Sequence, residues 1–142
     1  YSPDGDFITF ESDRSGSQKI YVMNLKTKKI KRISFGKGRY ATPVWSPRGD
    51  LIAFTKLLGG EFYIGVMYTD GKGERVVYKT YLVEGPSWSP NGRVIAFYSQ
   101  DKLKGGIITK PKIKLIDLTG INLRQLLTPA DASDPSWSGL LP

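Results

Sequence analysis

The 142-residue sequence contains no cysteine and no histidine. The first absence removes disulfides, thiol nucleophiles and cysteine-based zinc sites; the second removes the imidazole base of the common hydrolase triads. A chain without cysteine suits an oxidising compartment as well as the cytosol, so composition leaves the redox location open. No apolar run approaches the ~20 residues of a membrane-spanning helix, no signal-peptide pattern is present, and no segment has a helical period. Acidic residues are scarce: 13 Asp and Glu face 21 Lys and Arg, a formal charge of +8. That excess raises nucleic acid or an anionic surface as partners. The basic residues are scattered through turns, with one local cluster at 102–114, and solvated turn charge is the reading that pattern supports.

Catalytic patterns are missing too. There is no Gly-x-Ser-x-Gly elbow, and GKGRYATP at 36–43 lacks the Lys-Ser/Thr ending of a phosphate loop. Glu11 and Asp13 lie two apart at a strand end and need not face one another, so a paired-carboxylate mechanism has no support. Clustered carboxylates for a metal are not supplied by the spacing either. The sequence therefore predicts no catalytic residue, no cofactor and no metal site.

What the chain does contain is a repeat. PVWSPRGDLIAF at 43–54 returns as PSWSPNGRVIAF at 86–97, with a headless copy, YSPDGDFITF, at 1–10 and a tailless one, DPSWSG, at 134–139. Ser2, Ser46 and Ser89 share a register with Pro3, Pro47 and Pro90, Gly5, Gly49 and Gly92, and Phe10, Phe54 and Phe97. The steps Trp45 to Trp88 and Trp88 to Trp137 are 43 and 49 residues. A period of roughly 40–50 residues with several short strands per unit marks a propeller blade. Each Ser-Pro-x-Gly reads as a type I turn, with Ser at the first position, Pro fixing φ at the second and Gly at the fourth. The runs that follow, 7–11, 51–55 and 94–98, are apolar nearly throughout, as in a sheet covered on both faces.

These features predict an all-β fold: a β-propeller fragment of about three four-stranded blades. Residues 1–44 supply strands two to four of one blade and a loop, 45–87 a second blade, 88–136 a third, and 137–142 the first strand of a closing blade. The chain opens on Tyr1 in mid-repeat and reads as a piece of a longer protein. An open run of blades exposes two apolar blade faces, which predicts self-association, with two copies closing a ring across the Trp137 strand. In the third repeat Phe97 lies 19 positions before Ile116, where Phe10 to Met23 and Phe54 to Met67 span 13. The extra residues form a Lys-rich hairpin at 100–112 carrying Lys102, Lys104, Lys110 and Lys112, read as a solvated tip.

The succession Trp-Ser-Pro-x-Gly, Ile-Ala-Phe, Ile-Tyr-Val-Met-Asn and Arg-Ile-Ser resembles the WD40-like repeat. More narrowly, SDRSGSQKIYVMN at 12–24, RYATPVWSPRGDLIAFTK at 39–56, LVEGPSWSPNGR at 82–93 and DASDPSWSGLLP at 131–142 resemble the C-terminal half of the TolB family propeller. The resemblance implies a six-bladed ring, of which this chain is about half, and a non-catalytic, periplasmic protein–protein hub of the Tol–Pal envelope system. Its partner would be the peptidoglycan-associated lipoprotein, Pal, docked over the channel mouth through loops entering the inner strands. Bacteriocin translocation segments would compete there, and other Tol proteins would bind a missing N-terminal domain. The matching loops hold Arg39, Tyr40, Ala41 and Thr42 in one blade, Leu82, Val83 and Glu84 in the next, and Ala132, Ser133 and Asp134 in the last. By repeat symmetry Glu84 and Asp134 stand where the family carries an acidic contact.

The tryptophans, at a fixed place in each repeat, read as inter-blade packing rather than stacking platforms. Tyr40 and Tyr81 are open between partner contact and local packing, and Asp134 between partner contact and bracing its own loop. The expected partner-binding set is Arg39, Tyr40, Thr42, Tyr81, Glu84 and Asp134. The alternative is the substrate-gating propeller of a prolyl-oligopeptidase-type serine peptidase, which would carry a hydrolase domain after it.

Overall fold

A computed structural model describes residues 1–139. Among these residues there are eleven strands and no helix: β1 (Phe7–Ser12), β2 (Lys19–Asn24), β3 (Ile30–Arg32), β4 (Arg39–Trp45), β5 (Leu51–Leu58), β6 (Glu61–Tyr68), β7 (Arg75–Thr80), β8 (Leu82–Trp88), β9 (Val94–Gln100), β10 (Lys112–Asp117) and β11 (Arg124–Gln125). They form three antiparallel sheets, β1-β2-β3, β4-β5-β6-β7 and β8-β9-β10-β11, each a meander of neighbouring strands.

The tight turns behave as the sequence predicts. Gly5, Gly49 and Gly92 donate backbone N–H to the carbonyls of Ser2, Ser46 and Ser89 at 3.0, 2.9 and 2.8 Å, and all three glycines have positive φ, a conformation that other residues adopt only with strain. The serines are buried. Ser2 and Ser89 accept through Oγ from the N–H of Phe7 and Val94, both at 2.9 Å, which ties each turn to the strand that follows.

Burial on both faces follows from the apolar sequence in β5 and β9, whereas β1, packed against a neighbouring sheet on one side only, has no fully buried residue and leaves Glu11 exposed. Ile52, Ala53 and Phe54 in β5, like Ile95 and Phe97 in β9, are fully enclosed. One core unites Ile20, Ile33, Tyr40, Ile52, Phe54 and Met67 between the first two sheets. A second joins Ala53, Ile64, Val66, Val83, Phe97 and Ile116 between the second and third. Enclosing each Phe contributes about 1.5–3 kcal/mol. Two indoles act between sheets: Trp88 Nε1 donates to the Val44 carbonyl at 2.9 Å, and Trp137 Nε1 to the Ser87 carbonyl at 3.1 Å, whereas Trp45 Nε1 donates within its own turn to the Gly49 carbonyl at 3.2 Å. Val44 and Ser87 are equivalent, each one residue before its own Trp, so Trp88 and Trp137 each clasp the inner strand of the sheet before them.

Several local expectations change. The segments 39–42 and 82–84, read as loops, belong to β4 and β8, so the sheets begin ahead of the Trp boundaries of the repeats. Pro and Gly made these segments look irregular, and they mark bulges: Thr42 and Pro43 oppose Phe54 alone, as Gly85 and Pro86 oppose Phe97. The outer strands differ in length: β3 ends at Arg32 and β11 at Gln125, whereas β7 runs over Arg75–Thr80. Residues 137–139 form no strand; residues 140–142 of that expected strand lie outside the described residues. The Lys-rich insertion folds as a hairpin with a Lys102–Ile108 bridge.

Candidate functional site

The bulges decide what meets at the end of the sheets where β4 and β8 begin. Thr42 has φ of 48°, and the pre-proline residues Gly85 and Asp134 have 67° and 50°. This shared left-handed conformation turns the backbone N–H of Thr42 toward the first sheet, where it donates to Glu11 Oε2 at 2.6 Å. Glu11 Oε1 accepts from Gln18 Nε2 at 2.9 Å, and Gln18 Oε1 accepts from Arg39 Nη2 at 2.9 Å. Thr42 Oγ1 and Thr55 Oγ1 are 2.8 Å apart. The result is a polar chain from β1 across to β4. It borders a cleft of 350 Å³ lined by Glu11, Arg39, Thr42, Thr55, Phe62 and Glu84, among others.

Glu84, in β8, supplies the far wall and accepts from Tyr98 OH at 3.1 Å. Burial first, then the negative charges of Glu84 and Asp134, raise the Tyr98 hydroxyl above the usual phenol range, which keeps it a proton donor. The cleft thus alternates carboxylate, amide, guanidinium and hydroxyl over a floor that includes Leu57 and Phe62. Such a surface suits recognition of a protein segment by paired polar contacts around a small apolar centre.

The expected site residues divide. Arg39, Thr42 and Glu84 come together at the cleft. Asp134 stands close enough for its charge to act on Tyr98, and accepts from Ser133 Oγ at 2.6 Å. It aligns with Thr42 and Gly85, whereas Glu84 aligns with Ala41 and Ser133, so the two acids do not share one repeat position as repeat symmetry had implied. The correction comes from the backbone: the positive-φ residue immediately before each proline sets the register.

Tyr40 is corrected outright as a surface contact. It is 0% exposed, its ring lies between the ammonium groups of Lys19 and Lys56 at 4.9 and 4.7 Å, and its hydroxyl bonds Glu74 at 2.8 Å. Alternation along β4 points Tyr40 into the interface between sheets. Tyr81, 38% exposed, lies apart in a recess shared with Glu61, Lys79 and Lys102, the last with its Nζ 5.6 Å from the ring centre. Glu11, the carboxylate that links the first sheet to β4, was missed as a site residue. Its signal is repeat register: it follows Phe10 as Thr55 follows Phe54 and Tyr98 follows Phe97.

Repeat, sheets and bulges find their counterpart in one family model, the TolB beta propeller domain, which matches residues 1–141. The chain belongs to the TolB β-propeller family. It is similar to the Tol-Pal system protein TolB of Wolbachia sp. subsp. Drosophila simulans, 51% identical over 85% of this chain and 28% of the relative. The protein of the same name from Gluconobacter oxydans is 49% identical over 74% and 23%. The chain spans about a quarter of the length of these curated TolB relatives. Among solved structures, putative TolB from Agrobacterium tumefaciens superposes with a TM-score of 0.79 at 25% identity, covering 97% of this chain and 52% of that one. A prolyl endopeptidase structure matches at 15% identity and a TM-score of 0.63, over 90% of this chain and 21% of that one, a likeness of fold alone.

Proposed function

We propose that this TolB-type propeller segment is a non-catalytic docking surface of a periplasmic Tol–Pal hub, and that the peptidoglycan-associated lipoprotein binds at the cleft between β4 and β8. The observation that carries this reading is the convergence of Arg39, Thr42 and Glu84, from two sheets, on one cleft braced by Glu11. Asp134 extends the surface beside Tyr98, and Tyr81 offers a separate contact from its own recess. Bacteriocin translocation segments would use the same polar contacts and compete for them. The gating propeller of a prolyl-oligopeptidase-type peptidase has no observation in its favour beyond the shared fold.

Calorimetric titration of the chain with the soluble domain of a peptidoglycan-associated lipoprotein tests the proposal. Saturable binding is expected, with Glu84→Lys weakening it by roughly tenfold or more through charge reversal at the cleft wall. Unchanged affinity in that variant would remove the cleft from the interface.

A further inference from the structure

The positive charge of this chain is concentrated in two stretches without acids, residues 26–39 and 102–114. Residues 26–39 hold seven of the 21 Lys and Arg and none of the 13 Asp and Glu. The structurally equivalent windows, fixed by the pairing of Met23, Met67 and Ile116 with Ile8, Ile52 and Ile95, are 70–83 and 119–132. The first carries three cations and two acids, the second one of each. In the hairpin stretch 102–114, with five Lys, Lys110 and Lys114 are paired with Asp131 and Asp101, whereas the run 26–39 is larger and, among the described residues, has no acid paired to its lysines.

It follows the outer edge of the first sheet: the turn after β2, then β3, then the segment leading to β4. Lysines on an edge strand guard against unwanted strand pairing. The edge strand β3 carries only two of the seven, Lys31 and Arg32, no more than β7, so edge protection does not account for the other five in the flanking residues. Lys26, Lys28, Lys29, Lys31 and Lys37 are all exposed. Among the described residues none of these ammonium groups makes an ion pair or hydrogen bond, while six ion pairs form elsewhere. Asp70, whose carboxylate feels the charge of Lys31, is already paired with Lys72 at 3.6 Å.

Apolar groups are set among these charges. Phe35 is 67% exposed and Ile30 46%. Lys29 and Lys31 rim a groove of 370 Å³ whose lining includes Phe7, Val22 and Ile33. Arg32 and Arg39 are engaged within the chain, Arg32 over the Phe35 ring and on the Ser34 carbonyl, Arg39 on Gln18. The free charges are therefore all lysines, point charges on long apolar stems, suited to a diffuse negative plane more than to the forked recognition that arginine provides.

We propose that this edge is a contact surface for an anionic lipid bilayer, with the five lysines at the level of the phosphates and Phe35 and Ile30 reaching into the interfacial layer. Polybasic segments gain affinity for anionic leaflets lysine by lysine, and interspersed apolar side chains add to it. The proposal goes beyond the docking cleft and stands whether or not that cleft binds its partner.

Co-sedimentation of the chain with phosphatidylcholine vesicles, with and without about a third phosphatidylglycerol, tests it. Binding is expected only to the anionic vesicles and is expected to collapse at about 1 M salt. Lys26→Gln/Lys29→Gln/Lys31→Gln should reduce partitioning by about 100-fold, near fivefold per lysine. Lys104→Gln/Lys110→Gln/Lys112→Gln, with the same change in net charge, should stay within about threefold. Circular dichroism verifies that both variants fold. Equal binding to neutral vesicles, equal losses in the two variants, no binding at all, or tighter binding to a DNA oligonucleotide than to anionic vesicles would each overturn the proposal; the last would replace lipid by nucleic acid.

Discussion

Between the first and second sheets, the ammonium of Lys56 meets Glu74 at 2.6 Å, and the Tyr40 ring lies beneath it with its hydroxyl on the same carboxylate. Between the second and third, Lys114 meets Asp101 at 2.8 Å and the Tyr78 hydroxyl at 2.6 Å. The chemistry is one Lys, one carboxylate and one Tyr in both places, but the positions are not repeated. Tyr40 comes from the innermost strand of its sheet and Tyr78 from the outermost. The third sheet carries Val83 and Ser99 where the second has Tyr40 and Lys56, and Ser99 Oγ is left buried without a partner. A propeller needs its inter-sheet amines satisfied, and this chain meets that need with whichever positions converge. The apolar skeleton repeats; the polar network is assembled separately at each junction.

The comparison breaks most visibly at Tyr40. Tyr40→Ala is expected to destabilise the chain by about 4 kcal/mol in denaturant unfolding, since it empties a fully enclosed aromatic site and removes the ring face that Lys19 and Lys56 share. Tyr78→Ala, at a half-buried site, should remove about 2 kcal/mol. Next come the lysines. Lys56→Met is expected to lower stability by about 2 kcal/mol, leaving Glu74 without its cation. Lys114→Met should lower it by about 1 kcal/mol, because Asp101 is 40% exposed and water screens its charge.

Gly36 sharpens the contrast from the other side. A Cβ there would stand 2.3 Å from Tyr40 Oη and 3.1 Å from Lys56 Nζ, so Gly36→Ala should lower stability by about 1 kcal/mol through displacement of that network. In Lys56→Met/Tyr40→Phe the penalty should shrink, a coupling that a double-mutant cycle reads directly.

The smallest effect is a pH dependence. Burial works against ionisation of Asp101, but hydrogen bonds from Lys114 and Thr80 outweigh it and hold the carboxyl below its usual range. Such a group contributes its stability in full above the unfolded carboxylate value of ~3.9 and loses it as pH falls through the lower folded value. The melting temperature should therefore fall less between about pH 5 and about pH 2 in Asp101→Asn than in the parent chain.

The repeated skeleton was legible because it is written in local chemistry. Ser, Pro and Gly fix the turn, an apolar run marks the strand behind it, and Trp recurs beside both. The polar assembly was not legible, because its members are far apart in sequence: Tyr40 and Glu74 are 34 residues apart, Thr42 and Glu11 31. Thr42-Pro43 and Gly85-Pro86 carry loop signals yet form bulges inside β4 and β8, which moved Arg39, Tyr40 and Glu84 from expected loops into strands. That shift, with the alternation along β4, buries Tyr40 while leaving Arg39 at the cleft. The cleft residues were thus half readable: their neighbourhood from the repeat, their orientation only from the sheet.

The docking cleft is most directly tested by amide chemical-shift mapping of the labelled chain during titration with the soluble peptidoglycan-associated lipoprotein domain. Shifts centred on Glu11, Arg39, Thr42 and Glu84, with Asp134 at their edge and the Ser-Pro-x-Gly turns unmoved, are predicted. Shifts centred on those turns or on the 101–111 hairpin, with the cleft silent, would contradict the account.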